Sequence, residues 1–143
     1  MSLLKFLVLV PMCVAGSLLQ CQTSKPADRP VESEHIAGPQ VLEGWTLKSP
    51  LPDDQNAGAR YPFTLVIARN GRVIRRIKGN AFIWNWTFLK DGRRIAYESG
   101  PLHFGLQCEL YDLKTGRVLD SIDCFHGIPE NAPAWLVALE GSR

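Results

Sequence analysis

Phe82-Ile83-Trp84-Asn85-Trp86-Thr87-Phe88-Leu89-Lys90-Asp91-Gly92-Arg93-Arg94-Ile95-Ala96-Tyr97 is the stretch that decides the fold class. Successive side chains of a strand point to opposite faces, so Phe82, Trp84, Trp86 and Phe88, at every second position, put four large rings on one face. The Asp91-Gly92 pair has the chemistry of a two-residue hairpin turn that tolerates positive φ at both positions. Such a turn sets Phe88 against Ile95, Trp86 against Tyr97 and Trp84 against Ser99. A slip of one residue would place Arg94 opposite Phe88, so the apolar pattern and the turn chemistry specify one register. A small sheet with one face this apolar needs it for its core, and the aromatic row is read that way rather than as an open platform.

Two further hairpins flank this one. Upstream, Phe63 to Ala68 turns at Asn70-Gly71 and returns from Val73 to Lys78. A two-residue loop would set Leu65 opposite Arg76. A three-residue loop with Gly71 in a left-handed bulge position sets Phe63 opposite Ile77 and Ile67 opposite Val73, segregates the faces better, and is the register expected. Downstream, Leu106 to Leu113 turns through Lys114-Thr115-Gly116 and returns from Val118 to Phe125. With Asp112 opposite Val118, Cys108 faces Ile122 and has Cys124 as its diagonal neighbour, at a separation near the upper limit for a disulfide; a bulge or shifted turn would bring them opposite, and two buried thiols are the alternative. Asn131 as N-cap, Pro133 in the first turn, and Trp135, Leu136 and Leu139 on one side predict a short helix ending at Gly141. The fold class expected is all-β: a small antiparallel meander of about six strands in three consecutive hairpins, with a short C-terminal helix. The region Val41 to Pro52 mixes Trp45 and Leu47 with turn formers and carries no clear pattern.

The N-terminus reads differently. Lys5 precedes an apolar run from Phe6 to Gly16, too short to span a bilayer and fitting the core of a secretory signal. Val14-Ala15-Gly16 offers one cleavage route. Leu18-Leu19-Gln20-Cys21 offers another, since Leu18 and Cys21 match the lipobox of bacterial lipoproteins while Gln20 stands where that motif has a small residue. Residues 1–21 are assigned to the signal, 22–40, polar and proline-bearing, to a flexible tether, and 41–143 to a single β-domain. Acyl chains on Cys21 would hold the protein at a membrane, in the periplasm or at the cell surface; without them it would be secreted. Export permits a disulfide between Cys108 and Cys124, the two of four cysteines that fall within the domain. With 16 basic against 14 acidic residues, and only Lys5 among charged residues in 1–21, bulk charge points to no nucleic-acid partner.

Trp86-Thr87-Phe88-Leu89-Lys90-Asp91-Gly92-Arg93-Arg94-Ile95-Ala96-Tyr97, followed by Leu110-Tyr111-Asp112-Leu113-Lys114-Thr115-Gly116-Arg117, resembles one blade of a TolB-like or WD-type β-propeller. The likeness spans roughly 84–124, with 63–78 similar to half of a preceding blade. It implies the geometry of the hairpins. A ring needs about four blades or more, so an open meander is the architecture expected.

No residue pattern builds an active site. There is no nucleophile elbow, no glycine-rich phosphate loop and no spaced ligand set for a metal, and the domain histidines His103 and His126 stand alone in loops, so neither a catalytic group nor a cofactor is expected. Asn85-Trp86-Thr87 matches a glycosylation acceptor by chance, given the bacterial-type signal. Arg69, Arg72, Arg75, Arg76, Lys78, Lys90, Arg93 and Arg94 gather near two turns. Of these, Arg72, Arg76, Arg93 and Arg94, together with Trp84, form the candidate binding surface, suited to anionic envelope polymers or lipid headgroups. The function expected is a non-enzymatic, exported cell-envelope β-domain for binding or assembly. The alternatives are an enzyme or accessory using a loop pocket near His103 and His126, or a protomer that homo-oligomerises through open edges at 63–68 or 118–124.

Overall fold

The computed structural model describes residues 29–51, 58–101 and 103–143; the proposed signal, Cys21 and the first part of the tether lie outside them. The hairpin pattern produces a mostly β structure of two antiparallel sheets with one short C-terminal helix. In the first sheet, β3 (Leu42–Ser49), β4 (Tyr61–Arg69) and β5 (Arg72–Ile77) follow one another, with β1 (Val31–Glu32) and β2 (Ile36–Ala37) on the free side of β3. The second sheet is β6 (Phe82–Phe88), β7 (Arg94–Gly100), β8 (Gln107–Asp112) and β9 (Arg117–Asp123), in sequential order. Helix α1 (Ala134–Glu140) closes the chain.

Alternation along the strands gives each sheet two apolar faces. Leu42, Leu65, Ile67 and Ile77 meet Ile83, Ile95, Tyr97 and Leu113 to form the core between the sheets, with Trp86 and Phe88 packed on it. The outer face of the second sheet buries Ala96, Cys108, Leu110 and Cys124 under Trp135, Leu136 and Leu139 of α1. The outer face of the first sheet carries a smaller cluster, Trp45, Val66 and Ala68. Each sheet thus buries apolar surface on both sides, which is how so short a chain offsets the entropy of ordering its strands.

The second hairpin has the expected pairs, Phe88 opposite Ile95 and Trp86 opposite Tyr97. Its turn differs. Gly92 alone has positive φ (61°), while the Asp91 carboxylate accepts from the N–H groups of Arg93 (2.9 Å) and Arg94 (3.1 Å), so side-chain hydrogen bonding shapes the turn at Asp91. A bulge between Ile83 and Asn85 takes Trp84 out of the ladder, and Ile83, not Trp84, faces Ser99. The four rings therefore do not share a face: Trp86 and Phe88 join the core, and Trp84 is 40% exposed.

The first hairpin departs from the expected three-residue loop. Asn70 (φ 51°) and Gly71 (φ 72°) form a two-residue turn with Arg69 opposite Arg72. A bulge between Ile67 and Ala68 then resets the parity, so that Leu65, not Phe63, faces Ile77. In the third hairpin Asp112 faces Arg117 rather than Val118, and a bulge between Leu110 and Tyr111 restores Cys108 opposite Ile122. Cys108 and Cys124 are disulfide-bonded, with Cα atoms 5.9 Å apart.

Three other expectations are corrected. Residues 63–68 are not an open edge, because β4 is paired on both sides; β9 is an edge strand, as are β5 and β6. Pro133, not Asn131, caps α1, its extended conformation setting the entry into the helix without a side-chain bond. The second half of the expected tether is ordered against β3: Val31 pairs with Lys48 and Ile36 with Gly44.

This edge strap is pinned by His35, whose ring stacks on Trp45 at 4.1 Å and 6°. Its Nδ1 lies 2.6 Å from Glu43 and its Nε2 3.2 Å from Glu32. The bond to Glu43 raises the His35 pKa above its ordinary value, outweighing desolvation, and Glu32 adds to it. A raised folded pKa contributes stability that is complete below the unfolded value and is lost as pH rises through the folded one. The Ser33 N–H, bonded to the Thr46 carbonyl at 2.9 Å, reports on the strap. Its hydrogen-exchange protection, corrected for intrinsic rate, is expected to fall as the pH rises above the ordinary histidine value and through the raised one. Constant protection would show that the charged pair does not hold the strap.

Candidate functional site

Antiparallel hairpins bring their turns to one end, and here three turns meet: Asn70-Gly71, Asp91-Gly92 and Lys114 to Gly116. Arg69, at the last position of β4, reaches across to the second sheet, its Nη2 donating to the Gly92 carbonyl at 3.0 Å. Arg75 donates through Nη1 to its neighbour Ile74 (2.9 Å) and through Nη2 to the Lys114 carbonyl (2.7 Å). The Gln40 amide donates to the Asp91 carbonyl at 3.1 Å. These bonds tie the first sheet to the turns of the second, and the cationic side chains that make them line a cavity of about 420 Å³ with Arg93 and Lys114.

The bulge sets what Arg75 faces. Counting in twos from Ile77 puts Arg75 on the inner face, where the expected register, with Ile67 opposite Val73, set it opposite Leu65. In the bulged ladder Ile67 faces Arg75, so this side chain enters the gap between the sheets while Arg76, opposite Val66, points away. The Nε groups of Arg69 and Arg75 are buried and donate to no acceptor among the described residues. A buried donor left unmatched costs free energy that an anionic ligand would recover.

The acids at this end are already engaged. Desolvation pushes Asp91 up, but the N–H groups of Arg93 and Arg94 and the Arg94 guanidinium (2.6 Å) outweigh it and hold the carboxyl below its ordinary value. Asp112 is held low by the Thr115 N–H at 2.6 Å, against desolvation, with Arg93 contributing its charge. Neither carboxylate lines the cavity, which leaves its four cationic side chains facing shared space.

Of the candidate surface residues, Arg93 lines this cavity. Arg94 turns toward Asp91, and Arg72 and Arg76 are exposed on β5 outside the cavity. Trp84 is at the other end of the second sheet, beside a different cavity that it shares with His103. His126 lies against Phe125, 5.0 Å between ring centroids. Gln40 and Lys114 entered no sequence-based site, since nothing local marks either; the signal for Lys114 was its place in the third of three turns that antiparallel pairing must bring together.

Among the described residues no three His, Cys, Asp or Glu side chains gather as metal ligands, and no helix is long and apolar enough to cross a membrane. No protein-family model matches the chain, and none of the curated proteins matches it.

Proposed function

We propose that this chain is a non-enzymatic, exported binding domain of the cell envelope that holds an anionic group, phosphate or carboxylate in class, in the basic cavity at the turn end. The observation that carries the reading is the convergence of Arg69, Arg75, Arg93 and Lys114 on one cavity, with two guanidinium Nε groups buried and unmatched. Guanidinium groups fixed by bonds to turn carbonyls are pre-organised for such a ligand, so little ordering entropy opposes binding. In this proposal the blade-like stretch 84–124 is the frame of the site and not one unit of a ring. The signal and Cys21 would place the domain in the envelope, where phosphorylated polymers and lipid headgroups supply the anion.

Inorganic pyrophosphate tests the cavity by calorimetry. Arg93→Glu with Lys114→Glu, both at exposed positions, is expected to weaken binding by about tenfold or more, and added salt to weaken it in the parent chain. Arg72→Glu with Arg76→Glu should change it by less than about twofold. Equal losses in the two double variants would reduce the effect to general surface charge and sink the proposal.

Anchoring is tested separately. In a bacterial host with the lipoprotein pathway, Cys21→Ser is expected to abolish incorporation of labelled fatty acid and to release the protein from the membrane fraction. Unchanged labelling and fractionation would rule the anchor out.

A further inference from the structure

The end of the second sheet remote from the basic cavity has a surface of opposite character. The bulge in β6 turns the Trp84 indole outward, and with Phe104 (75% exposed) and Phe125 (45% exposed) it borders a cavity of about 450 Å³. Single exposed apolar side chains are ordinary, but three large rings around one concavity mark an interaction site. The indole is held in place: Nε1 donates to the Gly100 carbonyl at 3.0 Å, and its ring packs edge-on against Phe82 at 5.3 Å.

Glu98 of β7 also lines this cavity and is only 5% exposed. A carboxylate so far removed from water needs a cation. Its cation among the described residues is Arg143, whose Nη2 donates to Oε2 at 2.5 Å. Aromatic faces attract cations as well, so the walls and the buried carboxylate select the same ligand. We propose that this cavity binds the cationic side chain of an arginine presented by a partner polypeptide, with Trp84, Phe104 and Phe125 as walls and Glu98 as counter-charge. Arg143, which does not itself line the cavity, displays the pairing of a guanidinium with Glu98. Its own side chain is about half exposed, so it is a displaceable competitor rather than a fixed part of the wall.

The probe is Nα-acetyl-arginine amide, titrated into the whole 143-residue chain and followed by NMR at the Trp84 indole N–H and the Gly100 amide. Binding is expected with Kd on the order of 1 mM, tightening about threefold or more in Arg143→Ala. Trp84→Ala and Glu98→Gln are each expected to weaken it about tenfold, as is replacing the probe by its uncharged citrulline analogue. Tetramethylammonium, a small cation without the guanidinium fork, should bind at least about tenfold more weakly. Equal binding of the citrulline analogue, tighter binding of tetramethylammonium, or an unchanged affinity in a folded Trp84→Ala chain would each overturn the proposal. Should Glu98→Gln fail to fold, the Arg143→Ala and citrulline comparisons still decide it.

Discussion

Trp86→Ala is expected to destabilise the domain by about 3 kcal/mol, the lower end for losing a large aromatic from a core, since the indole is half-buried rather than enclosed. The ring faces Tyr97 across the hairpin, meets Phe88 edge-on at 5.3 Å, and fills the space left by Gly44 on β3. A Cβ at Gly44 would collide with the indole, so glycine and tryptophan are a matched pair joining the two sheets. Nothing small can refill that volume, and the melting temperature should fall by about 10–20 °C for a domain of this size. Trp84→Ala is the control. Outside the ladder and 40% exposed, it should cost under about 1 kcal/mol. Equal midpoints for Trp86→Ala and the parent chain would remove Trp86 from the core.

The second large effect belongs to the disulfide. Cys108 and Cys124 are separated by 16 positions, and a loop of that length stabilises by about 3 kcal/mol in the chain-entropy account. Both residues are also buried among Leu110, Trp135, Leu136 and Leu139, so replacement by alanine subtracts packing as well as the cross-link. Cys108→Ala with Cys124→Ala should therefore lower the melting temperature at least as far as Trp86→Ala does. Reduction of the parent chain by dithiothreitol should reproduce most of that loss without touching the packing. A melt insensitive to reductant, or two titratable thiols in the unfolded, unreduced domain, would show that no bond is present.

These two sites show how far the sequence alone could go. Around Trp86 the signals agree: large rings at every second position, a turn with Asp and Gly, and a register whose slip would expose Phe88 to Arg94. The disulfide pair was legible for the same reason, since Cys108 and Cys124 share parity with Leu110 and Ile122. What stayed hidden lies at bulges. One extra residue between Ile83 and Asn85 ejects Trp84 from its expected face, and another opposite Ile67 moves Leu65 against Ile77. A period of two carries no information about where it will be interrupted. Strand β3 was hidden by Gly44, which breaks the apolar alternation because its missing side chain is supplied by Trp86.

The basic site was legible as composition and not as geometry. The arginines near the turns stood out, yet only pairing distinguishes Arg93, which lines the cavity, from Arg72 and Arg76, which do not. Arg69 looks like any other surface arginine in the chain, and Arg75, though in phase with Ile77, carries no local mark of a binding role. They become site residues because each spends part of its guanidinium on a carbonyl of the second sheet's turns, which holds the remaining donors in the gap.

Anion binding at the turn end therefore depends on those remaining donors. The most direct measurement is an NMR titration of the whole chain with inorganic pyrophosphate, observing the side-chain Nε–H groups of the arginines. Saturating shifts at Arg69, Arg75 and Arg93, with the amides of Gly92 and Lys114 moving in step and Arg72 and Arg76 still, is the predicted result. Shifts at Arg72 and Arg76 as large as those at Arg69 and Arg75, or none that saturate, would contradict a site between the sheets.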